Sequence, residues 1–343
     1  MKVLLGMSGG VDSSAAALLL VQQGYDVLGA TLLLTKTDDG SSVKDAKAVC
    51  DTLGIRHITA DYREAFKRNV TDYFVSEYKA GRTPNPCVVC NKTIKFGEML
   101  DLAEKNGCDY LATGHYAQIV KNADGLYALQ KAVCAEKDQT YFLYTLTQKV
   151  LSRVLMPLGA YTKEETRQLA EKAGLIVARK KDSQDICFIP DGNKDAFLAD
   201  YMQDAPGNFL DTKGNVIGTH KGALRYTVGQ RKGLGMGFGK PMFVLSVNTK
   251  DNTVVLGESG TEFCNTFLVE NCSFSVFEHL PEHLVCLCKV RYSAKEVPCM
   301  LQKTDNGYHV TLKTPTRAIT PGQSAVFYDG TTLLGGGVIT VPR

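Results

Sequence analysis

A short apolar run, Val3 to Leu5, leads into Gly6-Met7-Ser8-Gly9-Gly10-Val11-Asp12-Ser13-Ser14 and then into Ala15 to Val21, apolar on every side and closed by Gly24. No other stretch restricts the fold as strongly. The first run reads as a buried strand and the last as a buried helix. The glycines between them let backbone approach an anion without Cβ interference. A helix N-terminus adds free N–H groups and the positive end of its dipole. The hydroxyls of Ser8, Ser13 and Ser14 are further donors, and Asp12 is the candidate ligand for a cation beside phosphates.

This phosphate loop is not Walker A, because no lysine follows Gly10, and it is not G-x-G-x-x-G either. S-G-G-x-D-S between a strand and a helix resembles the PP-loop of the ATP pyrophosphatase superfamily. That resemblance implies ATP with Mg2+, cleavage to AMP and pyrophosphate, and adenylation of a carbonyl-type oxygen.

The pattern of the first half continues strand, helix, strand. Val27 to Leu34 and Ile55 to Thr59 read as strands, and Tyr110 to Thr113 as a third that ends at Gly114-His115. Val43 to Leu53, the face Phe66, Val70, Tyr73, Phe74, and Ile94 to Asn106 read as helices, with Asp138 to Leu175 helical as well. Such alternation predicts a parallel sheet wrapped by helices, with ligands at the C-terminal strand ends. The phosphate loop, Leu32 to Thr35 and Gly114-His115 all follow strands. From about Pro206 short alternating runs and the turn signals Asp251-Asn252, Asn306-Gly307 and Asp329-Gly330 predict an all-β tail of small barrels.

A net charge of +3 neither requires nor excludes a nucleic-acid partner. Met1-Lys2 opens directly into the phosphate-loop strand, and no apolar run has the length of a membrane span. A cytoplasmic location without membrane contact is therefore expected. In that reducing compartment most of the 11 cysteines read as packing residues: Cys50, Cys108, Cys134, Cys264, Cys272, Cys286, Cys288 and Cys299. Three sit in different company. Thr83-Pro84-Asn85-Pro86-Cys87-Val88-Val89-Cys90-Asn91-Lys92 is an extended loop that places Cys90 just before a helix, where the dipole and Lys92 would favour its thiolate. Lys180-Lys181-Asp182-Ser183-Gln184-Asp185-Ile186-Cys187 brings a third cysteine behind two lysines. One C-x-x-C with no second pair disfavours structural zinc.

At this point several motifs run in one order: S-G-G-V-D-S, G-R-T-P-N-P, C-N-K-x-I-K-F, A-T-G-H-Y, K-D-Q-T-Y-F-L-Y, K-D-S-x-x-I-C-F-I, G-Q-R-K-G-L-G from Gly229, Arg291-Tyr292, and T-P-G-Q-S-A-V-F-Y from Thr320. Across nearly the whole chain they resemble the bacterial tRNA-specific 2-thiouridylases. The resemblance implies an adenine nucleotide α-hydrolase-like parallel-sheet domain over 1–190, a small central tRNA-binding domain over 191–260 and a C-terminal β-barrel over 261–343. It implies sulfur replacing the C2 oxygen of the wobble uridine in tRNAs for Lys, Glu and Gln. Gly6, Met7, Ser8, Gly9, Gly10, Val11, Asp12 and Ser13, with Leu32 and Gly114, match the nucleotide site. Cys90 matches the nucleophile and Cys187 the persulfide carrier, loaded by a cysteine desulfurase or a sulfur-relay protein. Asn85, Pro86 and Cys87 match positions contacting the target base, and His115, Lys137, Asp138, Gln139, Arg291, Tyr292 and Gln323 match tRNA contacts.

One departure keeps a second chemistry open. Many family members carry Asp where this chain has Cys87, so Cys87, Cys90 and Cys187 form a candidate ligand set for a 4Fe–4S cluster, as in related tRNA thiolases. Two other classes fit less of the chain. A small-molecule PP-loop synthetase leaves the cysteine loops and β tail unexplained, and a non-catalytic RNA-binding protein leaves Cys90 and Cys187 without work. In the Gly-rich run after Gly229, Arg231 and Lys232 are candidate phosphate contacts.

Overall fold

The computed structural model describes residues 1–36, 40–180, 186–189, 192–202, 205–277 and 279–342. The expected architecture is present: a parallel α/β unit, a small central sheet and a C-terminal barrel. Strands β1 (Lys2–Gly6), β2 (Asp26–Leu33), β3 (Arg56–Asp61) and β4 (Tyr110–Ala112) are followed by the hairpin β5 (Ala117–Lys121) and β6 (Tyr127–Lys131), then by β7 (Val154–Leu155). The first sheet runs β3-β2-β1-β4-β7, parallel throughout. Val3, Leu4 and Leu5 are wholly buried, as expected of a strand covered on both faces. Helix α1 (Val11–Gln22) buries Ala15, Ala16, Ala17, Leu19 and Leu20 against one side of the sheet. The chain steps from β1 outward through β2 to β3, then returns to place β4 on the other side of β1. That reversal opens a crevice at the C-terminal ends of β1 and β4.

The stretch 138–175 is not the helical segment its pattern suggests. It contains short 3-10 turns, a one-turn helix Gln148–Leu151, the strand β7 and one regular helix, Lys163–Lys172, with the expected capping box of Thr162 and Glu165. The apolar spacing there reflects docking. Tyr141 donates to the Ser324 carbonyl at 2.9 Å, Tyr144 lies 3.3 Å from the Ser324 hydroxyl, and Thr140 lies 3.3 Å from the Tyr328 hydroxyl.

The central sheet comprises β8 (Gly207–Leu210), β9 (Val216–His220), β10 (Met242–Asn248) and β11 (Thr253–Glu258), around Phe209, Val244, Val254 and Leu256. Strands β12 (Phe263–Phe274), β13 (His283–Lys289), β14 (Val297–Thr304), β15 (Gly307–Arg317), β16 (Ser324–Asp329) and β17 (Thr332–Pro342) follow. Pairing of β12 with β17 closes them into a barrel, which removes the exposed edges. The hairpin β5–β6 extends this sheet, with Leu129 opposite Leu333 on β17. Lys131 secures the join, 2.6 Å from Glu296 and 4.5 Å above the Tyr328 ring.

Candidate active site

The loop after β1 forms the floor of the crevice. Gly9 has φ +68, and a Cβ there would come within 2.6 Å of the Ser42 carbonyl, so the turn requires glycine. No side chain caps α1 at Gly10. The N–H groups of Val11, Asp12 and Ser13 precede the first intrahelical acceptor and face the loop. Ser13 organises the turn by accepting from the Ser8 N–H at 3.2 Å and donating to the Gly10 carbonyl at 3.1 Å. Below the loop, Thr31 donates to the Met7 carbonyl at 2.8 Å. Met7 and Val11 are buried and present backbone only, whereas the Ser8 hydroxyl is exposed. From the opposite wall, Gly114 lies against the start of α1: a Cβ there would stand 3.0 Å from the Ser13 nitrogen. Gly6 and the half-buried Leu32 end β1 and the neighbouring part of β2. The cradle suits a polyphosphate.

Asp12 is already engaged. Lys163 Nζ stands 2.7 and 2.9 Å from its two carboxylate oxygens, and the Tyr116 hydroxyl donates to it at 2.8 Å. An ammonium, rather than an open coordination position, thus faces this carboxylate, and Mg2+ would share or displace it. The loop has a second clamp, Lys180, whose Nζ donates to the Gly9 carbonyl at 3.0 Å and to Asp45 at 2.7 Å. Neither lysine stands in the S-G-G-x-D-S pattern. Lys163 opens a capped helix and Lys180 the stretch before Cys187, but neither pattern ties its lysine to the phosphate loop.

Cys90 lies elsewhere than its sequence suggests. The helix starts at Pro86, in a first helical position that proline suits, and continues through 105 with a wider π-type stretch at Asn91–Glu98. Cys90 is therefore inside the helix, buried among Phe66, Val70, Phe74, Ile94, Phe188 and Ile189. Burial pushes its thiol up to about 12, and the cation that opposes this is Lys95, not Lys92. Burial also raises Cys87 and Cys187, again opposed by Lys95, although both residues are exposed on one side. All three are free thiols, close enough for Cys187 to act electrostatically on both Cys87 and Cys90. Ile186, Phe188 and Ile189 pack into the Cys90 cluster, and Phe188 meets Phe74 edge-on at 5.4 Å. Residues 181–185 of the third motif lie outside the described residues.

As placed, the three cysteines do not converge on a single metal ion. Among the described residues, which include Cys87, Cys90 and Cys187, no group of three or more His, Cys, Asp or Glu is arranged to hold a metal ion.

The remaining residues surround this helix. Gln323 donates to the carbonyls of Thr83 and Pro84 at 2.9 and 3.2 Å, and the Pro321 carbonyl accepts from the Thr83 N–H at 2.8 Å. The barrel thereby holds the loop that precedes Pro86. Asn85, half-buried, stands at the N-cap of this helix. His115 is buried, 2.8 Å from the Thr113 hydroxyl, and burial holds it neutral. Asp138 is buried too, accepting from the Ala132 N–H and the Thr140 hydroxyl. Gln139 accepts from the Tyr116 N–H at 3.0 Å, and Lys137 is half-buried. Arg291 reaches from the barrel to the Val228 carbonyl at 3.0 Å, and Tyr292 stacks on Phe142 with centroids 4.6 Å apart. Arg231 and Lys232 are exposed.

Residues 1–191 match the family model described as the tRNA methyl transferase HUP domain, 195–258 the tRNA methyl transferase PRC-barrel domain and 264–339 the aminomethyltransferase beta-barrel domain. The tRNA-specific 2-thiouridylase MnmA of Lachnoclostridium phytofermentans is 46% identical over 98% of this chain and 99% of its own length. That of Clostridioides difficile is 46% identical over 98% of each. NMN synthetase from Francisella tularensis aligns at 16% identity and a TM-score of 0.34, over 53% of this chain and 66% of that one, too low to carry an argument. No helix among the described residues is long and apolar enough to cross a membrane. Membership of an ATP-using PP-loop family implies ATP and Mg2+ for the cradle. The chain belongs to the tRNA-specific 2-thiouridylase family and is an enzyme of the tRNA-uridine 2-sulfurtransferase class.

Proposed function

We propose that the chain 2-thiolates the wobble uridine of tRNAs for Lys, Glu and Gln in the cytoplasm, with the phosphate loop activating the base and Cys187 and Cys90 moving the sulfur. The observation that carries this reading is the shared apolar cluster of Cys90 and the 186–189 segment, under one cation, Lys95. In this reading the chain acts through three units, 1–190 for ATP and sulfur chemistry, 191–260 and 261–343 for tRNA.

A uracil C2 carbonyl is a poor electrophile. Its oxygen attacks the α-phosphorus of ATP and pyrophosphate leaves, stabilised by the N–H groups of Val11, Asp12 and Ser13. Mg2+, when bound, neutralises phosphate charge. The terminal sulfur of a Cys187 persulfide then attacks C2, and AMP departs with the former C2 oxygen. Cys90 attacks the Cys187 sulfur, which releases 2-thiouridine and leaves a Cys90–Cys187 disulfide. An external dithiol resets both thiols. A cysteine desulfurase or sulfur-relay protein supplies the persulfide at Cys187, which is exposed where Cys90 is buried. Asn85, Pro86 and Cys87 open the Cys90 helix and stand beside the extruded base.

The test is nucleoside analysis of tRNA treated with ATP and a persulfide donor. Cys90→Ser and Cys187→Ser should each abolish 2-thiouridine while tRNA-dependent release of pyrophosphate persists. Thiouridine formed at the wild-type rate by either variant overturns the assignment.

A further inference from the structure

Three barrel cysteines stand apart from the site described above. Cys286 on β13 and Cys299 on β14 are directly opposite in the antiparallel register, and their sulfurs are 3.5 Å apart. Opposed residues in such ladders have Cα atoms about 4.5–5.5 Å apart, inside the span of about 4.4–6.8 Å that a disulfide bridges. Cys288, two residues along β13, shares the same inward face. Its ladder partner is Val297, so it is not the opposed thiol. Of the facing pair, the sulfur–sulfur contact favours ionisation of Cys299 and disfavours that of Cys286.

We propose that Cys286 and Cys299 are an oxidisable dithiol, which a peroxide converts to a disulfide across the base of the hairpin that carries Arg291 and Tyr292. The Cys299 thiolate attacks one peroxide oxygen, the O–O bond breaks, and water leaves a sulfenic acid on Cys299. The Cys286 sulfur attacks that sulfur, the S–O bond breaks, and a second water departs. Both thiol protons end in water, and the peroxide takes the two electrons. The new bond ties β13 to β14 below the β13–β14 connection, where Arg291 reaches Val228, Tyr292 stacks on Phe142, and Glu296 pairs with Lys131. Oxidation would therefore restrict the segment through which the barrel meets the central sheet and the first domain.

Reduced full-length protein is treated with hydrogen peroxide, its remaining thiols are blocked with N-ethylmaleimide, and peptides are mapped without reductant. The expected result is a peptide pair joined through Cys286 and Cys299, absent from Cys299→Ser. In Cys286→Ser, dimedone should trap a sulfenic acid on Cys299. Recovery of Cys286 and Cys299 as free thiols from the wild-type protein overturns the proposal, as does a link that joins Cys288 to Cys299 instead. The wild-type map decides the matter even if a variant fails to fold.

Discussion

The Cys90 thiol provides a quantitative test of how burial and charge divide control of the site. Burial raises it to about 12, with Lys95 the opposing cation. At pH 8 roughly one molecule in ten thousand then carries the thiolate, against about a quarter for a free cysteine with a pKa of about 8.5. Alkylating reagents react with the thiolate. Carbamidomethylation of Cys90 in the resting enzyme should thus run about three orders of magnitude slower than that of a free thiol. Its rate should rise about tenfold per pH unit from 7 to 10, because the group titrates above that window. Steric protection lowers the rate but leaves this slope unchanged, which separates the two causes. Lys95→Met removes the cation and should slow the reaction further at every pH in the window. The assay is a time course with iodoacetamide, read by mass spectrometry of the Cys90 peptide. A rate that is flat between pH 8 and 10, or within a factor of ten of the free thiol at pH 8, would refute the reasoning.

Gly9→Ala places a Cβ 2.6 Å from the Ser42 carbonyl at φ +68. It should cost roughly 1–3 kcal/mol in unfolding free energy and more than about tenfold in ATP affinity, read by denaturant titration and calorimetry. Gln323→Ala removes two hydrogen bonds to Thr83 and Pro84. At about 1 kcal/mol each, it should lower thiolation by roughly tenfold or more while ATP affinity stays at the wild-type value.

The phosphate loop is legible because its chemistry is local: strand, glycines, hydroxyls and helix are contiguous from Val3 to Val21. Its supports are not, because Lys163 and Lys180 reach Asp12 and Gly9 from more than a hundred residues away. The barrel strands show in their alternation, but the hairpin β5–β6 is hidden because its partner β17 lies at the far end of the chain. Cys90 illustrates the limit most clearly. Pro84 and Pro86 read as an extended loop, yet Pro86 suits a first helical turn, so the helix begins before the cysteine. The wider turn at 91–98 then brings Lys95 rather than Lys92 into play. Burial, which no local pattern announces, reverses the expected direction of the thiol's pKa. For His115 and Asp138 the motif identifies the position, while the fold adds that both side chains are buried and bonded within the protein.

The most direct test of the sulfur relay is a single turnover on enzyme purified without oxygen, shown by metal analysis to be free of iron, and loaded with one persulfide labelled with a sulfur isotope. With tRNA, ATP and Mg2+ present and no other sulfur source, the account predicts labelled 2-thiouridine, matched by a Cys90–Cys187 disulfide in equal amount. Thiolation that appears only when iron is restored, or labelled product with Cys90 still a free thiol, would contradict it.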